Sequence, residues 1–166
     1  MVGDFSVGKT SLIRCYVEGK FDDRYLSTVG VKISRRNLDL PSVDGADPQA
    51  IQLIIWDLEG QTKFKAIAPT YLQGSRGTII VADISRPETI DSIKGHIELY
   101  RSVSQDGAIV IALNKTDLFE PQKSQGILDQ LKQTYQADII EAYSTSAKSG
   151  QNVESLFIQL AAATLK

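Results

Sequence analysis

The chain has 166 residues, of which 42% are hydrophobic and 23% are charged, a balance typical of a folded domain rather than a disordered chain. Its formal net charge of −2 gives no electrostatic reason to expect nucleic-acid binding. The single cysteine, Cys15, excludes an intramolecular disulfide and favours a reducing, cytoplasmic environment. No apolar run approaches the roughly 18 residues typical of a transmembrane helix.

The opening segment matches the phosphate-binding pattern G-x-x-x-x-G-K-[ST] at Gly3, Gly8, Lys9 and Thr10. The glycines permit a tight loop whose N–H groups point at a phosphate, Lys9 supplies a positive charge, and the Thr10 hydroxyl can ligate Mg²⁺. Apolar residues then recur at helical spacing, so the loop opens a helix whose N-terminus favours an anion. The alternative is a glycine-rich turn without a ligand. The expected nucleotide contacts of the loop are Gly3, Asp4, Phe5, Ser6, Val7, Gly8, Lys9, Thr10 and Ser11.

Strand-like and helix-like segments alternate along the rest of the chain. Strands are predicted at 31–40, 51–56, 77–84, 108–113 and 139–143, and helices after Pro87, around 128–135 and behind Asn152, a candidate N-cap. This alternation predicts an α/β fold: a doubly wound, mostly parallel sheet with helices on both faces, in one domain over residues 1–166. Residues 41–49 form a turn-rich link. His96, in the helix after Pro87, is expected to be a solvated surface residue.

Polar motifs follow three of these apolar strands. Asp57 ends the strand Ile54-Ile-Trp56, where an acid can make a second contact to Mg²⁺. Asn114-Lys115-Thr116-Asp117 ends the strand at 108–113, and its aspartate can accept both the N1–H and the exocyclic amine of guanine, whereas adenine would leave it unpaired. Ser146-Ala147-Lys148 follows the last strand, and its backbone N–H groups can meet the guanine O6.

Taken in this order, the motifs resemble those of the Ras-like small GTPases, and within them the Rab-like branch and its prokaryotic relatives, over nearly the whole chain. The resemblance implies a P-loop small G-domain that binds GTP or GDP with Mg²⁺ and slowly hydrolyses GTP, as a molecular switch stimulated by partners. It also implies effector, exchange-factor and GTPase-activating proteins acting through the switch regions, a monomer and a cytoplasmic location.

The resemblance assigns further residues. Thr28 matches the threonine that closes on Mg²⁺ and the γ-phosphate, so Thr10, Thr28 and Asp57 are the implied metal contacts. Phe21 matches the aromatic beside guanine, and Tyr25 the tyrosine over the phosphates. Gly60 would donate its N–H to the γ-phosphate, and Gln61 would orient the attacking water. Lys9, Thr28 and Gln61 are therefore the implied catalytic residues.

Three positions depart from the family pattern. Phe5 stands where a small residue is usual beside the γ-phosphate, Leu58-Glu59 replaces Thr-Ala, and Thr62 replaces a glutamate. Bulk and negative charge near the γ-phosphate would impede hydrolysis. The alternative is that Phe5 and Glu59 point away from the nucleotide. A GTP-binding module with little hydrolysis is thus a second hypothesis, and a P-loop kinase of a small metabolite is a third that the guanine motifs disfavour.

The two ends of the chain carry expectations of their own. In the resembling family a central strand of about five or six apolar residues precedes the phosphate loop, whereas only Met1 and Val2 precede Gly3 here. The first strand is expected to be truncated, with the natural product carrying more apolar residues upstream, unless a two-residue stub suffices. The last residues, Leu160–Lys166, contain no cysteine, so no direct lipid anchor is expected in this chain.

Overall fold

The protein is described by a computed structural model over residues 1–22, 27–40, 49–60 and 68–165. Its strands are β1 (Val2–Gly3), β2 (Val31–Leu40), β3 (Gln49–Leu58), β4 (Gly77–Asp83), β5 (Ala108–Asn114) and β6 (Glu141–Ser144). Its helices are α1 (Lys9–Glu18), α2 (Ala68–Leu72), α3 (Pro87–Asp91), α4 (Ile93–Arg101), α5 (Pro121–Tyr135) and α6 (Val153–Ala163), with a 3-10 turn at Thr116–Leu118.

The sheet is mostly parallel, as predicted. Strands β1, β4, β5 and β6 pair in parallel in the order β1-β4-β5-β6, while β2 and β3 form a separate antiparallel pair. Alternate residues of β4 and β5 face opposite sides, because side chains alternate along a strand. Ile80 and Ile111 pack with α4 and α5, whereas Val81 and Val110 pack with α1 and α6. Helices therefore cover both faces of the parallel strands.

Several local features differ from the sequence-based expectations. The predicted helix after Pro87 is divided at Ser92 into α3 and α4. Asn152 is the N-cap residue of α6, but it has a φ of 54° and its side chain donates to the Ser144 carbonyl (2.8 Å) instead of capping the helix. The predicted 41–49 link lies outside the described residues except for Gln49, which begins β3. Within the described residues no helix is long and apolar enough to cross a membrane.

The short β1 lies between β3 and β4. Its Val2 pairs with Ile80 of β4, and on the other side the Met1 amino group donates to the Trp56 carbonyl (2.7 Å) while Leu58 N–H donates to the Met1 carbonyl (3.3 Å). Beyond Met1, β3 and β4 enclose an apolar groove with a cavity of about 720 Å³, which α2 and α6 also line. The sheet is consequently interrupted at its centre, as a short first strand predicts.

Candidate functional site

The phosphate loop connects β1 to α1 and takes its shape from two glycines. Gly3 and Gly8 have φ values of 144° and 98°, in the region that side chains rarely adopt. A Cβ on Gly8 would also collide with the Asn114 amide, which donates to the Val7 carbonyl (2.9 Å). The last residue of β5 is thereby tied to the loop. Lys9 closes the loop from inside, since its Nζ donates to the Gly3 and Asp4 carbonyls (2.9 and 2.8 Å).

Lys9 is buried, and burial lowers the pKa of its ammonium from 10.5 to about 8. The neighbouring carboxylates of Asp57, Asp4 and Glu59 act in the opposite direction and favour the charged form, while Arg86 disfavours it. Lys9 is therefore a positive charge held among carboxylates at the base of the loop. A phosphate anion beside Lys9 would favour the charged ammonium further.

Three oxygen-bearing side chains from separate segments converge next to Lys9. The Thr10 hydroxyl donates to Asp57 Oδ2 (2.5 Å), and Thr28 Oγ1 lies 2.6 Å from Thr10 Oγ1. Asp57 is 1% exposed, and its Oδ1 has no hydrogen-bond partner among the described residues. A buried carboxylate oxygen without a hydrogen-bond partner destabilises the folded protein unless a cation or a cation-bound water contacts it.

This all-oxygen set fits Mg²⁺, which prefers hard oxygen ligands and retains several waters. Thr10, Thr28 and Asp57 are the residues that would hold it. When bound, Mg²⁺ supplies positive charge to the β- and γ-phosphate oxygens of the nucleotide.

Two adjoining cavities extend from the loop. The smaller, of about 50 Å³, is lined by Phe5, Ser6, Gly8, Lys9, Thr10, Ser11, Thr28, Leu58 and Gly60. The larger, of about 280 Å³, is lined by Ser6, Gly8, Thr10, Ser11, Arg14, Lys20, Phe21, Asp22, Asn114, Lys115, Asp117, Leu118, Ala147 and Lys148. Most of the predicted phosphate and base residues therefore share one continuous site at the carboxyl ends of the strands, where ligands bind in such folds.

The predicted base-binding end contains Asp117. Its Oδ1 accepts a hydrogen bond from the Ser146 hydroxyl (2.6 Å), which fixes the orientation of the carboxylate at the cavity. The Ser146 N–H is donated to the Gln151 carbonyl (3.2 Å), so Ser146 contributes here through its hydroxyl. Phe21 is 40% exposed and lines the same cavity.

Lys115 connects this end to the phosphate loop. It adopts a left-handed conformation (φ 64°), and its ammonium donates to the Ser6 carbonyl (2.9 Å) and lies 2.6 Å from Asp83 Oδ2. Burial alone raises the pKa of Asp83, but hydrogen bonds from Lys115 and Ser85 outweigh it and hold the pKa below its usual value. Asp83 is thus an ionised anchor for Lys115.

Sequence reasoning missed Asp83, Arg86 and His96. Asp83 is the last residue of the apolar strand β4 and pairs in register with Asn114, so its place at the end of an apolar run was a usable signal. Arg86 donates to Asp83 Oδ2 (3.2 Å) and to the Phe5 carbonyl (2.7 Å). The prediction that His96 is a solvated surface residue was wrong. His96 is 9% exposed, and its Nε2 lies 3.0 Å from Asp4 Oδ1, because α4 packs that face of the helix against the phosphate loop.

The departures from the family pattern have different surroundings. Phe5 lines the smaller cavity with Lys9, Thr28 and Gly60. The Glu59 carboxylate instead accepts a hydrogen bond from Gly30 N–H (2.8 Å), which favours the alternative in which it points away from the nucleotide. Tyr25, Gln61 and Thr62 lie outside the described residues.

The fold and the glycine-shaped loop together define a P-loop nucleotide-binding protein. The Ras family profile matches residues 1–166. The chain is 31% identical to the Ras-related protein Rab-21 of Homo sapiens over 162 residues, covering 96% of this chain and 68% of that protein. It is 32% identical to the GTP-binding protein ypt5 of Schizosaccharomyces pombe (97% and 74% covered) and 32% identical to the Ras-related protein Rab-13 of Bos taurus (97% and 76%).

The chain therefore belongs to the Ras family, and its relatives place it in the Rab-like branch of the small GTPases. It is a molecular switch that binds GTP and GDP with Mg²⁺ and hydrolyses GTP. Members of this family work with regulatory and effector partners. Family membership favours this function over both the small-molecule kinase and the module without hydrolysis.

Proposed function

We propose that the guanine nucleotide lies along the two adjoining cavities, with its phosphates in the loop between Gly3 and Ser11 and its base against Asp117. Phe21 and the segment Ser146–Lys148 would enclose the base, and Asn114 and Lys115 would hold the loop in position. The observation that carries this proposal is the convergence of the Thr10, Thr28 and Asp57 oxygens beside the buried Lys9. A cation and a phosphate are the groups that such a cluster accommodates together.

Hydrolysis at this site would depend on positioning and charge rather than on a covalent intermediate. Lys9 would neutralise charge that develops on the phosphates, and the Gly60 N–H would donate to the γ-phosphate. Gly60 is well placed for this, because a Cβ there would collide with the Asp4 carbonyl and Lys9 Nζ. We assign the orientation of the attacking water to Gln61 on the basis of family membership and its position directly after Gly60.

Effector, exchange-factor and GTPase-activating proteins would bind around the segments that carry Thr28 and Gly60. Exposed apolar side chains next to these segments support this assignment, in particular Val29, Ile33 and Trp56. A GTPase-activating partner would also supply an arginine, since Arg86 already donates to Asp83 and Phe5.

We further propose that the protein is a single-domain, cytoplasmic monomer, consistent with its one cysteine.

Single-turnover hydrolysis of GTP by the wild type and by Gln61→Leu tests the catalytic assignment. The variant should hydrolyse GTP about tenfold more slowly or worse, with an unchanged affinity for GDP, because the side chain acts on water and not on the bound ground state. Gln73→Leu is the matched control, because the Gln73 side chain is exposed to solvent. Hydrolysis by Gln61→Leu at the wild-type rate would overturn the role of Gln61.

A further inference from the structure

Two hydrogen bonds connect the segment before β2 to the segment after β3. Glu59 N–H donates to the Gly30 carbonyl (3.0 Å), and Gly30 N–H donates to Glu59 Oε2 (2.8 Å). The β2–β3 ladder ends one step earlier, at the pair Val31–Leu58. In an antiparallel ladder the next pair would exchange two backbone bonds. Here the Glu59 side chain supplies the second acceptor, so the pairing gains one more step while the backbone turns toward Gly60.

This pair of bonds, which we name the Gly30–Glu59 clasp, lies between the two segments that contact the phosphate site. Two residues before Gly30, Thr28 Oγ1 is 2.6 Å from Thr10 Oγ1. One residue after Glu59, Gly60 packs against Asp4 and Lys9. Both bonds of the clasp join protein atoms, and neither Gly30 nor Glu59 lines the small cavity beside Lys9. One of its two bonds is accepted by the Glu59 carboxylate, and such charge-assisted hydrogen bonds are stronger than neutral ones.

We propose that Glu59 is a positioning residue that keeps the Thr28 segment closed over the magnesium ligands in both the GDP-bound and the GTP-bound protein. A switch segment normally orders through its contacts with the γ-phosphate and is released when that phosphate is lost. The clasp provides part of this ordering from within the chain. The Thr28 segment then differs less between the GDP-bound and GTP-bound protein than it would if the γ-phosphate alone ordered it. This inference rests on the proposed role of Thr28.

Hydrogen exchange of the Gly30 amide measures the clasp directly, because this amide is its donor. We would compare the wild type with Glu59→Ala, which removes the acceptor, and Glu59→Gln, which keeps an acceptor oxygen but removes the charge. Glu98→Ala is the control, since Glu98 is an exposed carboxylate on α4, paired only loosely with Lys94 (3.9 Å). Each protein would be measured with GDP and with a non-hydrolysable GTP analogue, both with Mg²⁺.

In the wild type and in Glu98→Ala, exchange at Gly30 should be similar in the two nucleotide states. In Glu59→Ala with GDP, exchange of the Gly30 amide should become about tenfold faster, because one charge-assisted hydrogen bond is lost. With the GTP analogue the increase in exchange should be smaller. Glu59→Gln should restore most of the protection. Equal exchange in wild type and Glu59→Ala with GDP would overturn the proposal, as would a Glu59→Gln variant that behaves like Glu59→Ala.

The affinity of the same samples for GDP separates this proposal from the function on which it rests. If Glu59→Ala binds GDP as the wild type does and its Gly30 amide exchanges at the wild-type rate, only the role of the clasp is contradicted. Failure of the wild type to bind GDP would contradict the proposed nucleotide site.

Discussion

The Lys115 ammonium lies 2.6 Å from Asp83 Oδ2 and at the same time donates to the Ser6 carbonyl, so one side chain joins the ends of β4 and β5 to the phosphate loop. The proposed base-binding and phosphate-binding parts of the site are therefore connected through Lys115. A substitution at Asp83 should therefore weaken nucleotide binding, although Asp83 lines neither of the two cavities.

Asp83→Asn should weaken GDP affinity by about tenfold, because Lys115 loses a charged partner and is held less firmly against the loop. The free energy of unfolding should fall by about 1–3 kcal/mol. Titration calorimetry and urea denaturation measure the two effects. Unchanged GDP affinity would show that Lys115 holds its position without Asp83.

The stability effect of Asp83 should also depend on pH. Its pKa in the folded protein lies below the ordinary value of 3.8, so the stabilisation is fully present above that value and is lost as the pH falls through the folded pKa. The stability difference between the wild type and Asp83→Asn should therefore shrink in strong acid. A difference that stays constant down to about pH 2 would contradict the ionised anchor.

Asp117→Asn should lower guanine-nucleotide affinity by about a hundredfold and should admit xanthine nucleotides. The amide presents a donor where guanine also presents donors, whereas the extra xanthine carbonyl accepts. Ser146→Ala is the matched control, because it removes the hydroxyl that orients Asp117 but keeps the carboxylate. Its affinity loss should be smaller, without any gain of xanthine binding. A preference for guanine that survives Asp117→Asn would refute the base assignment.

Phe5→Gly should increase single-turnover GTP hydrolysis by about tenfold while leaving GDP affinity nearly unchanged, because the ring lines the small cavity beside Lys9 and Thr28. Phe5→Ala should act in the same direction without adding backbone freedom. Phe21→Ala serves as the contrasting variant, since Phe21 lies at the base end and its loss should weaken binding rather than change the rate. Equal rates for Phe5→Gly and the wild type would show that the ring does not obstruct the reaction.

Adding about five apolar residues ahead of Met1 should fill the groove between β3 and β4 and raise the thermal midpoint by about 5 °C or more. The new strand would pair with both neighbours, whose backbone groups face the groove. A Gly/Ser extension of equal length is the control and should have little effect. Similar midpoints for the two extensions, measured with GDP and Mg²⁺, would contradict the idea that the groove accepts a strand.

Much of the fold could be predicted, because β4 and β5 are apolar runs bounded by turn residues. Strand β2 was predicted at its observed bounds, and β4 and β5 to within one residue. The phosphate and guanine motifs were also recognisable, since each places a fixed chemistry at the end of a strand. Tertiary packing decided the rest. The helical spacing of Ile93 and Tyr100 places His96 on the buried face of α4, but its partner Asp4 is close only because α4 lies against the phosphate loop. Likewise, the register of β2 against β3 brings Gly30 opposite Glu59.

Titration of the nucleotide-free protein with GDP, GTP and ATP, each with Mg²⁺, measures the recognition of guanine. GDP and GTP should bind at least about a thousandfold more tightly than ATP, because an unpaired Asp117 and the lost guanine contacts each penalise adenine. Removal of Mg²⁺ with a chelator should weaken GTP binding, since the cation that we assign to Thr10, Thr28 and Asp57 is then lost. Equal affinities for ATP and GTP would contradict the account.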